Sequence, residues 1–322
     1  MGDDLFLPGE HFDPAGKCFK ASCATYADLD DKFESTLFLP ARADRKGEGG
    51  LRAQGIFKRS QEKKPLVSIV TVVYNGAKHL ELTIGSVAGQ RYENIEYIVI
   101  DGGSTDGTLD ILHRYDGSID YWVSEPDSGI YDAMNKGLKV AAGSYIMFLN
   151  ADDALCEEAV LSLLKRVNES GRDYCVGAVK TVPSNIVVEP VYPLEAGRVY
   201  FGMPYPHVGA IIPLSVYKKV GLFETSYRIC ADYDMAMRIH LSGYRASKAD
   251  GVVARIMEGG VSSSWRTKKE NLDIAVSCGM PKKEAYVRFL KSVLKEIAAR
   301  VLPMSVKKAL WKSKKSRYRY EK

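Results

Sequence analysis

No stretch of this 322-residue chain is long and apolar enough to cross a bilayer. The longest candidates, 145–149 and 208–216, fall well short of the ~20 residues a spanning helix needs, and Pro213 interrupts the second. The opening Met1-Gly2-Asp3-Asp4 is acidic, with no basic n-region followed by an apolar stretch, so no secretory leader is expected. Cysteine is sparse and scattered: Cys18, Cys23, Cys156, Cys175, Cys230 and Cys278 include no Cys-x-x-Cys pair. That spacing argues for reduced, mostly buried thiols over a disulfide framework or a zinc site. Internal repeats are absent, and the only low-complexity tract is the basic C-terminal end. With 46% hydrophobic and 26% charged residues, the chain is neither fibrous nor wholly disordered.

Charge is unevenly spread. Of the net +5, the segment 281–322 supplies +11 (fourteen Lys/Arg against three Glu), so the other 280 residues sum to −6. A mildly acidic body with a basic tail argues against a nucleic-acid-binding core and favours a tail that meets an anionic surface.

Residues 1–64 carry Pro8, Pro14, Pro40 and the run Arg45-Lys46-Gly47-Glu48-Gly49-Gly50 without a sustained period, which reads as a loosely structured extension. From 66 to 74 the chain reads LVSIVTVVY, a β-branched apolar run of the kind buried on both faces of a parallel sheet. A helix at 79–90, a strand at 96–100, a helix at 108–115, a strand at 121–124, a helix at 130–142 and a strand at 145–149 follow. This is the rhythm of a doubly wound α/β sheet. Beyond it the patterns predict a helix at 156–168, a strand at 174–182, an antiparallel edge piece at 186–192, helices at 216–220 and 233–242, and an extended segment at 245–253. An amphipathic helix at 286–302 puts Tyr286, Phe289, Leu290, Val293, Leu294, Ile297 and Val301 on one stripe.

Four polar loops follow four strands of that sheet: Tyr74-Asn75-Gly76, then 101–108 (DGGSTDGT), then Glu125-Pro126-Asp127-Ser128-Gly129, then Asn150-Ala151-Asp152-Asp153. Each alone could be an ordinary turn. Four at strand C-termini describe a ligand site on the edge of an open sheet. The first turn has a single glycine, so neither a dinucleotide fingerprint nor a Walker loop is present. Phosphates held without a glycine loop call for a cation. Asp152-Asp153, with no His or Cys beside them, suit a hard ion, Mn²⁺ or Mg²⁺.

Together, PLVSIVTVVYNG, VIDGGSTDGT, SEPDSGIYDAMNKG and FLNADD closely resemble the family 2 glycosyltransferases, particularly bacterial enzymes of exopolysaccharide, O-antigen and colanic acid assembly. The resemblance is strong over 65–153 and looser over 200–270. It implies an α/β fold of GT-A type, Rossmann-like with a mostly parallel sheet flanked by helices, ahead of the amphipathic tail. It implies a 1–64 extension, a 65–270 catalytic domain (nucleotide-sugar half 65–155, acceptor half 156–270) and a helical basic tail at 271–322. The implied enzyme is metal-dependent and inverting. It would move a sugar from a nucleotide donor (a UDP-sugar favoured, GDP or dTDP possible) to a hydroxyl of a saccharide or lipid-linked saccharide.

Carried over by position, the resemblance puts Asp101 at the nucleobase and ribose and the backbone around Thr71, Val73 and Tyr74 along the base pocket, with Asn75 and Ser104 also among the donor-binding residues. Asn135 and Lys136 fall near the sugar or diphosphate, Lys136 alternatively being a solvated helix charge. Asp127 lies in the third loop. The Asp-x-Asp motif falls on Asn150-Ala151-Asp152, leaving Asp152 as the metal ligand with Asp153 beside it. The base position falls on Asp232 in ADYDMAMR, or on Asp234 failing that; an N-cap role for Asp232 is the plain alternative. His207 resembles a family histidine on the acceptor side, and a structural histidine is the alternative. Gly260 and Ser262 resemble a Gly-Gly-x-Ser lid over the diphosphate, or a simple loop. The tail, with Trp311, Tyr318 and Tyr320 among its lysines and arginines, suits an anionic membrane surface, which would make the enzyme peripheral on the cytoplasmic face of an inner membrane. RNA binding or a solvated basic face would use the same composition, and no nucleic-acid partner is expected. Rival activities are a sugar nucleotidyltransferase, whose Gly/Arg loop is missing, and a non-catalytic nucleotide-sugar-binding partner.

Overall fold

Every residue of β2 (Val67–Val73) is buried, and so is every residue of β3 (Ile95–Asp101). Alternation sends their side chains into two different cores. Val70, Val72, Ile98 and Ile100 face one, which also holds α3 (Ile130–Val140), α5 (Leu214–Val220) and α6 (Ala231–Leu241). Val67, Ile69, Val73, Tyr97 and Val99 face the other, with α1 (Leu80–Ala88), α2 (Thr108–Arg114) and α4 (Ala159–Ser170). Helices therefore cover both faces, as a continuous apolar strand requires. The structure is a computed structural model that describes residues 31–259 and 264–301, with the short backbone pieces His11–Phe12, Cys18–Phe19 and Tyr318–Tyr320.

β2 pairs in parallel with β3 and with β5 (Tyr145–Asn150), and β3 pairs in parallel with β4 (Tyr121–Ser124). On the far side of β5 the sheet turns mixed. β9 (Ala210–Pro213) is antiparallel to β5 and to β7 (Tyr174–Val182), and β8 (Ile186–Val188) is antiparallel to β7. The long β10 (Ala246–Met257) runs parallel to β7 and meets β6 (Ala154–Leu155) antiparallel. Close approach of α3 to β2 depends on Gly137: a Cβ there would lie 2.3 Å from Val70 Cγ1.

Two regions depart from the sequence expectation. The part of the 1–64 stretch that is described, from residue 31 on, is packed against the sheet. β1 (Gly47–Gly49) adds antiparallel to β4 as an edge strand. Arg52 is buried, ion-paired with Glu96, and donates to the carbonyls of Val140 (2.7 Å) and Leu37 (2.8 Å). Glu96 also accepts from the Ser68 hydroxyl and from Ala142 N at 2.9 Å. Order here comes from individual long-range polar contacts, which leave no period to read. The second departure is α7 (Trp265–Ser277), whose first turns are polar and charged; Ser264 caps it by accepting from Thr267 N. It packs on α8 (Lys282–Val301), the expected C-terminal helix. The expected single apolar stripe of α8 is divided: Phe289 packs edge-on against Trp265 at 5.5 Å, while Tyr286, Val287, Leu290, Leu294 and Ile297 stay exposed. Gly260 and Ser262 lie outside the described residues.

Arg52→Ala leaves Glu96 buried without its cation. Breaking a buried pair costs about 3–5 kcal/mol, so urea unfolding should report a loss of that order. A loss under about 1 kcal/mol would mean that the segment around Arg52 is dispensable to the fold.

Candidate active site

Because β2, β3 and β4 are parallel and in register, their C-terminal ends share one edge: Val73 stands opposite Asp101, and Asp101 opposite Ser124. The loops that follow are tied to one another. Asn75, with φ 51°, accepts from Thr105 N at 2.8 Å and donates its own N–H to Ser104 Oγ at 2.7 Å. Gly76 N donates to Thr108 Oγ1 (3.0 Å) and Ala77 N to Asp106 Oδ2 (3.0 Å). Gly102 is pressed against the third loop; a Cβ there would meet Asp127 Oδ2 at 2.4 Å. Burial holds the Asp127 carboxyl above the usual carboxylate range, although Gly129 N donates to it at 2.8 Å.

The edge is thus divided into exposed groups and groups that hold them. Tyr74, Asn75 and Asp152 are exposed, and Asp127 is partly so. Beneath them, Asp101 is fully buried; Ser104 N (3.0 Å), Ser104 Oγ and Ser124 Oγ (2.5 Å) all donate to it. Thr71 and Val73 lie within β2 in the core, the Thr71 hydroxyl accepting from Tyr97 at 3.1 Å. Asn135 gives both ends of its amide to the Phe223 backbone, at 2.8 and 2.9 Å. Lys136 is buried, 2.9 Å from Glu125 and donating to the Pro126 carbonyl at 3.0 Å, so it is not a solvated helix charge. Glu125 is held from the other side by Arg45 at 2.8 Å, and Lys46 donates to the carbonyls of Gly103 and Ser104. Arg45 and Lys46, in the stretch read as an extension, therefore shape two of the four loops.

At the end of β5, Asp153 is buried between Asn150 Nδ2 (2.9 Å) and Met257 N (3.0 Å), both of which donate to it. Burial, with the neighbouring Asp152 charge adding to it, pushes its carboxyl up to about 7. Its oxygens are spent on tying Asn150 at the end of β5 to Met257 at the end of β10. The Asp152 carboxylate is exposed, and Asn150 Oδ1 is buried with no hydrogen-bond partner. An orphaned amide oxygen two residues from a free carboxylate is a donor set that fits a hard divalent ion. Among the described residues no three His, Cys, Asp or Glu side chains cluster as a metal site. An ion here would need oxygens from a ligand to complete its shell.

Across the cleft, α6 begins at Ala231 with Cys230 as its N-cap, so Asp232 sits inside the first turn and is not the cap. Its Oδ1 accepts from Tyr233 N (2.9 Å) and from the Tyr131 hydroxyl (3.1 Å); Oδ2 lies 3.5 Å from His207 Nδ1. Burial, and then the Asp232 charge, raise the Tyr131 pKa, so the phenol keeps its one proton, shared between Asp232 Oδ1 and the Ile229 carbonyl. Tyr131 stands at the head of α3 directly after the third loop, and thus ties the two sides of the cleft together. It lies within SEPDSGIYDAMNKG, where nothing in the sequence reveals a partner 101 residues away. Asp234 is buried and ion-paired with Arg238 Nε at 2.8 Å. Behind Asp232, a narrow apolar cavity is lined by Met134, Phe148, Tyr205, His207 and Phe223, and the buried His207 Nε2 has no partner.

The family model described as glycosyl transferase family 2 matches residues 68–205. An uncharacterized glycosyltransferase of Mycobacterium tuberculosis (strain CDC 1551 / Oshkosh) is 32% identical over 183 residues, covering 55% of this chain and 70% of that protein. A PGL/p-HBAD biosynthesis glycosyltransferase of Mycobacterium bovis (strain BCG / Pasteur 1173P2) is 30% identical over 179 residues, 54% of this chain and 69% of that one. Among solved structures, the mannosyltransferase PcManGT from Pyrobaculum calidifontis, in complex with GDP-Man and Mn²⁺, superposes with a TM-score of 0.54. It does so at 20% identity over 80% of this chain and 81% of its own. S. aureus TarS 1-349 with UDP-GlcNAc gives 0.53 at 16% identity over 74% and 77%. A longer TarS structure gives 0.55 at 20% identity over 70% of this chain, which spans only 43% of it. At such identities the likeness is one of fold, and that fold is the GT-A type.

Burial lowers the His207 pKa against the opposing pull of Asp232. The unfolded chain takes up that proton near its ordinary pKa of ~6.5, while the native state withholds it until lower pH. Folded-state stability from this group is therefore present above that pH and lost as pH falls below it. His240, also lowered by burial, adds a loss of the same sign. His207→Gln should show a smaller Tm drop between pH 7.5 and 5.5 than wild type, with part of the slope kept by His240. Equal drops in both proteins would contradict a lowered His207 pKa.

Proposed function

Since the chain belongs to glycosyl transferase family 2, we propose that it transfers a sugar from a nucleotide-sugar donor to a saccharide hydroxyl with inversion, Asp232 being the base. The observation that carries this reading is the Asp232 carboxylate, partly exposed at the head of α6 and hydrogen-bonded across the cleft to Tyr131. The donor would lie along the strand-end edge, its nucleoside against Tyr74 and Asn75 and its diphosphate toward Asp152. UDP, GDP and dTDP are all open to it, and the acceptor would be a free or lipid-linked saccharide.

In the transfer, the acceptor oxygen bonds to C1 of the donor sugar as the C1–O bond to the diphosphate breaks, and the acceptor proton passes to Asp232. Tyr233 N–H and the Tyr131 hydroxyl occupy Oδ1, which fixes the carboxylate and leaves Oδ2 to receive that proton. A neutral His207 beside Oδ2 avoids pairing the base with a full positive charge. Asn150 and Asp152 would hold Mn²⁺ or Mg²⁺, which, when bound, supplies positive charge for the departing diphosphate.

Asp232→Asn keeps the shape of the side chain and removes the proton acceptor. Assayed with UDP-, GDP- and dTDP-sugars plus Mn²⁺ and short glycosides, wild type should release nucleoside diphosphate. The variant should be slower by ~10²–10⁴ with donor binding retained. Wild-type turnover in Asp232→Asn would remove the base assignment. Release of sugar 1-phosphate in place of nucleoside diphosphate would indicate nucleotidyl transfer.

We also read the enzyme as peripheral on a membrane face. No helix among the described residues is long and apolar enough to cross a membrane. The exposed face of α8 (Tyr286, Val287, Leu290, Leu294, Ile297) lies in the segment that supplies +11 of charge, with the exposed Trp265 nearby. Such a helix beds its apolar face at the headgroup boundary, and each basic residue near an anionic surface adds about 1 kcal/mol. The full chain should float with anionic vesicles at low salt and less so at high salt. Leu290→Asp/Leu294→Asp should reduce flotation; no change would discard this surface.

A further inference from the structure

We propose that Glu270, on the helix the sequence did not reveal, is the positioning residue for the Asp232 carboxylate; this rests on Asp232 being the base. Glu270 is buried on α7, and both its oxygens are spent on three consecutive backbone donors: Arg228 N at 3.0 Å, Ile229 N at 2.9 Å and Cys230 N at 3.0 Å. Those residues are the strap that leads into α6. Cys230 is the N-cap of α6 and offers no side-chain cap; Glu270 takes its N–H and the two before it, while the N–H of Tyr233 inside the first turn goes to Asp232 Oδ1. A carboxylate suits that place, since the N-cap N–H has no partner within the helix and lies at its partially positive end. Hydrogen bonds to an ionised acceptor are also the stronger kind.

The strap is held from its opposite side as well. The Tyr131 hydroxyl donates to the Ile229 carbonyl and reaches Asp232 Oδ1, and Arg228 donates to the Ser128 carbonyl in the third loop at 2.9 Å. N–H groups bonded from α7 and a carbonyl bonded from α3 hold residues 228–230 from two sides, and Asp232 follows two residues later. Glu270 touches no reacting atom in this arrangement. It sets where the Asp232 oxygens stand relative to a donor bound on the strand-end edge. A displacement of about 1 Å of a catalytic group can cost about 10²-fold in rate.

The test uses full-length Glu270→Ala and Glu270→Gln, with Leu272→Ala as the packing control, a partly buried residue of the same helix that packs against Ala275, Met280 and Ala285. Hydrogen exchange at the amides of 228–230, calorimetric donor affinity, and kcat for nucleoside diphosphate release are measured on each, with the donor that turns over in the sugar-nucleotide panel. In Glu270→Ala, exchange at the strap should accelerate at least tenfold and kcat fall about 10²-fold, with donor Kd within twofold. Glu270→Gln, which keeps the shape and one carbonyl acceptor, should recover part of kcat. Leu272→Ala should lose stability and keep kcat. The proposal is overturned if Glu270→Ala retains kcat, if donor affinity and kcat fall together, or if Leu272→Ala loses as much kcat. Should Glu270→Ala fail to fold, wild-type kcat in Glu270→Gln overturns it in the same way. An inactive Asp232→Asn beside a fully active Glu270→Ala removes only the positioning role, whereas an active Asp232→Asn removes the base itself.

Discussion

Parallel pairing of β2 with its neighbours is the constraint on which the rest of the molecule depends. Strands buried on both faces cannot shift register without moving a whole set of side chains from one core to the other. Val73, Asp101 and Ser124 therefore end level, and the loops after them must share one edge. The chain then uses buried polar groups to shape what that edge presents. Asp101, fully buried, gathers Ser104 and Ser124, while Glu125 sits between Lys136 and Arg45. Each carboxylate is satisfied within the protein, and each fixes the backbone of a loop whose neighbouring side chains are open to a ligand.

The far half of the fold packs on the sheet and α3 through a shared apolar core, and a few polar contacts fix its position at that edge. Asn135 clamps the backbone of Phe223, Tyr131 bridges Ile229 and Asp232, and Arg228 reaches Ser128. Tyr131 and Ser128 lie at and just before the head of α3, and Asn135 lies at its middle. This helix is consequently the hinge of the proposed chemistry: one end follows a donor-side loop, and its side chains hold the segment that carries the base. The close seat of α3 on β2, which Gly137 permits, sets the height of both.

Most of the fold was legible because it follows from runs such as VSIVTVV, in which burial on two faces dictates composition. What could not be read depends on pairings between distant residues. Arg52 looks like one more charge in a glycine-rich stretch until Glu96, 44 positions away, is placed beside it. The helix α7 opens on Trp-Arg-Thr-Lys-Lys-Glu, with too few apolar positions to show a period, because its early side chains serve the α6 strap and solvent. In the site, motif residues were found in the expected loops, yet sequence does not say which oxygen faces outward. Asp101 and Asn135 are consumed internally, whereas Asp152 and Asp232 keep oxygens open. The same ambiguity separated Asp152 from Asp153, adjacent in sequence and opposite in burial.

The central claim is that this edge takes a nucleoside diphosphate with a divalent ion shared between the ligand and Asn150 and Asp152. Calorimetric titration of UDP and GDP into the protein, with Mn²⁺ and then with EDTA, tests it most directly. At least one nucleotide should bind with Mn²⁺. That binding should be lost or weakened at least tenfold in EDTA and in Asp152→Ala, and kept in Asp232→Asn. Equal affinity with and without the metal, or undiminished affinity in Asp152→Ala, would contradict it.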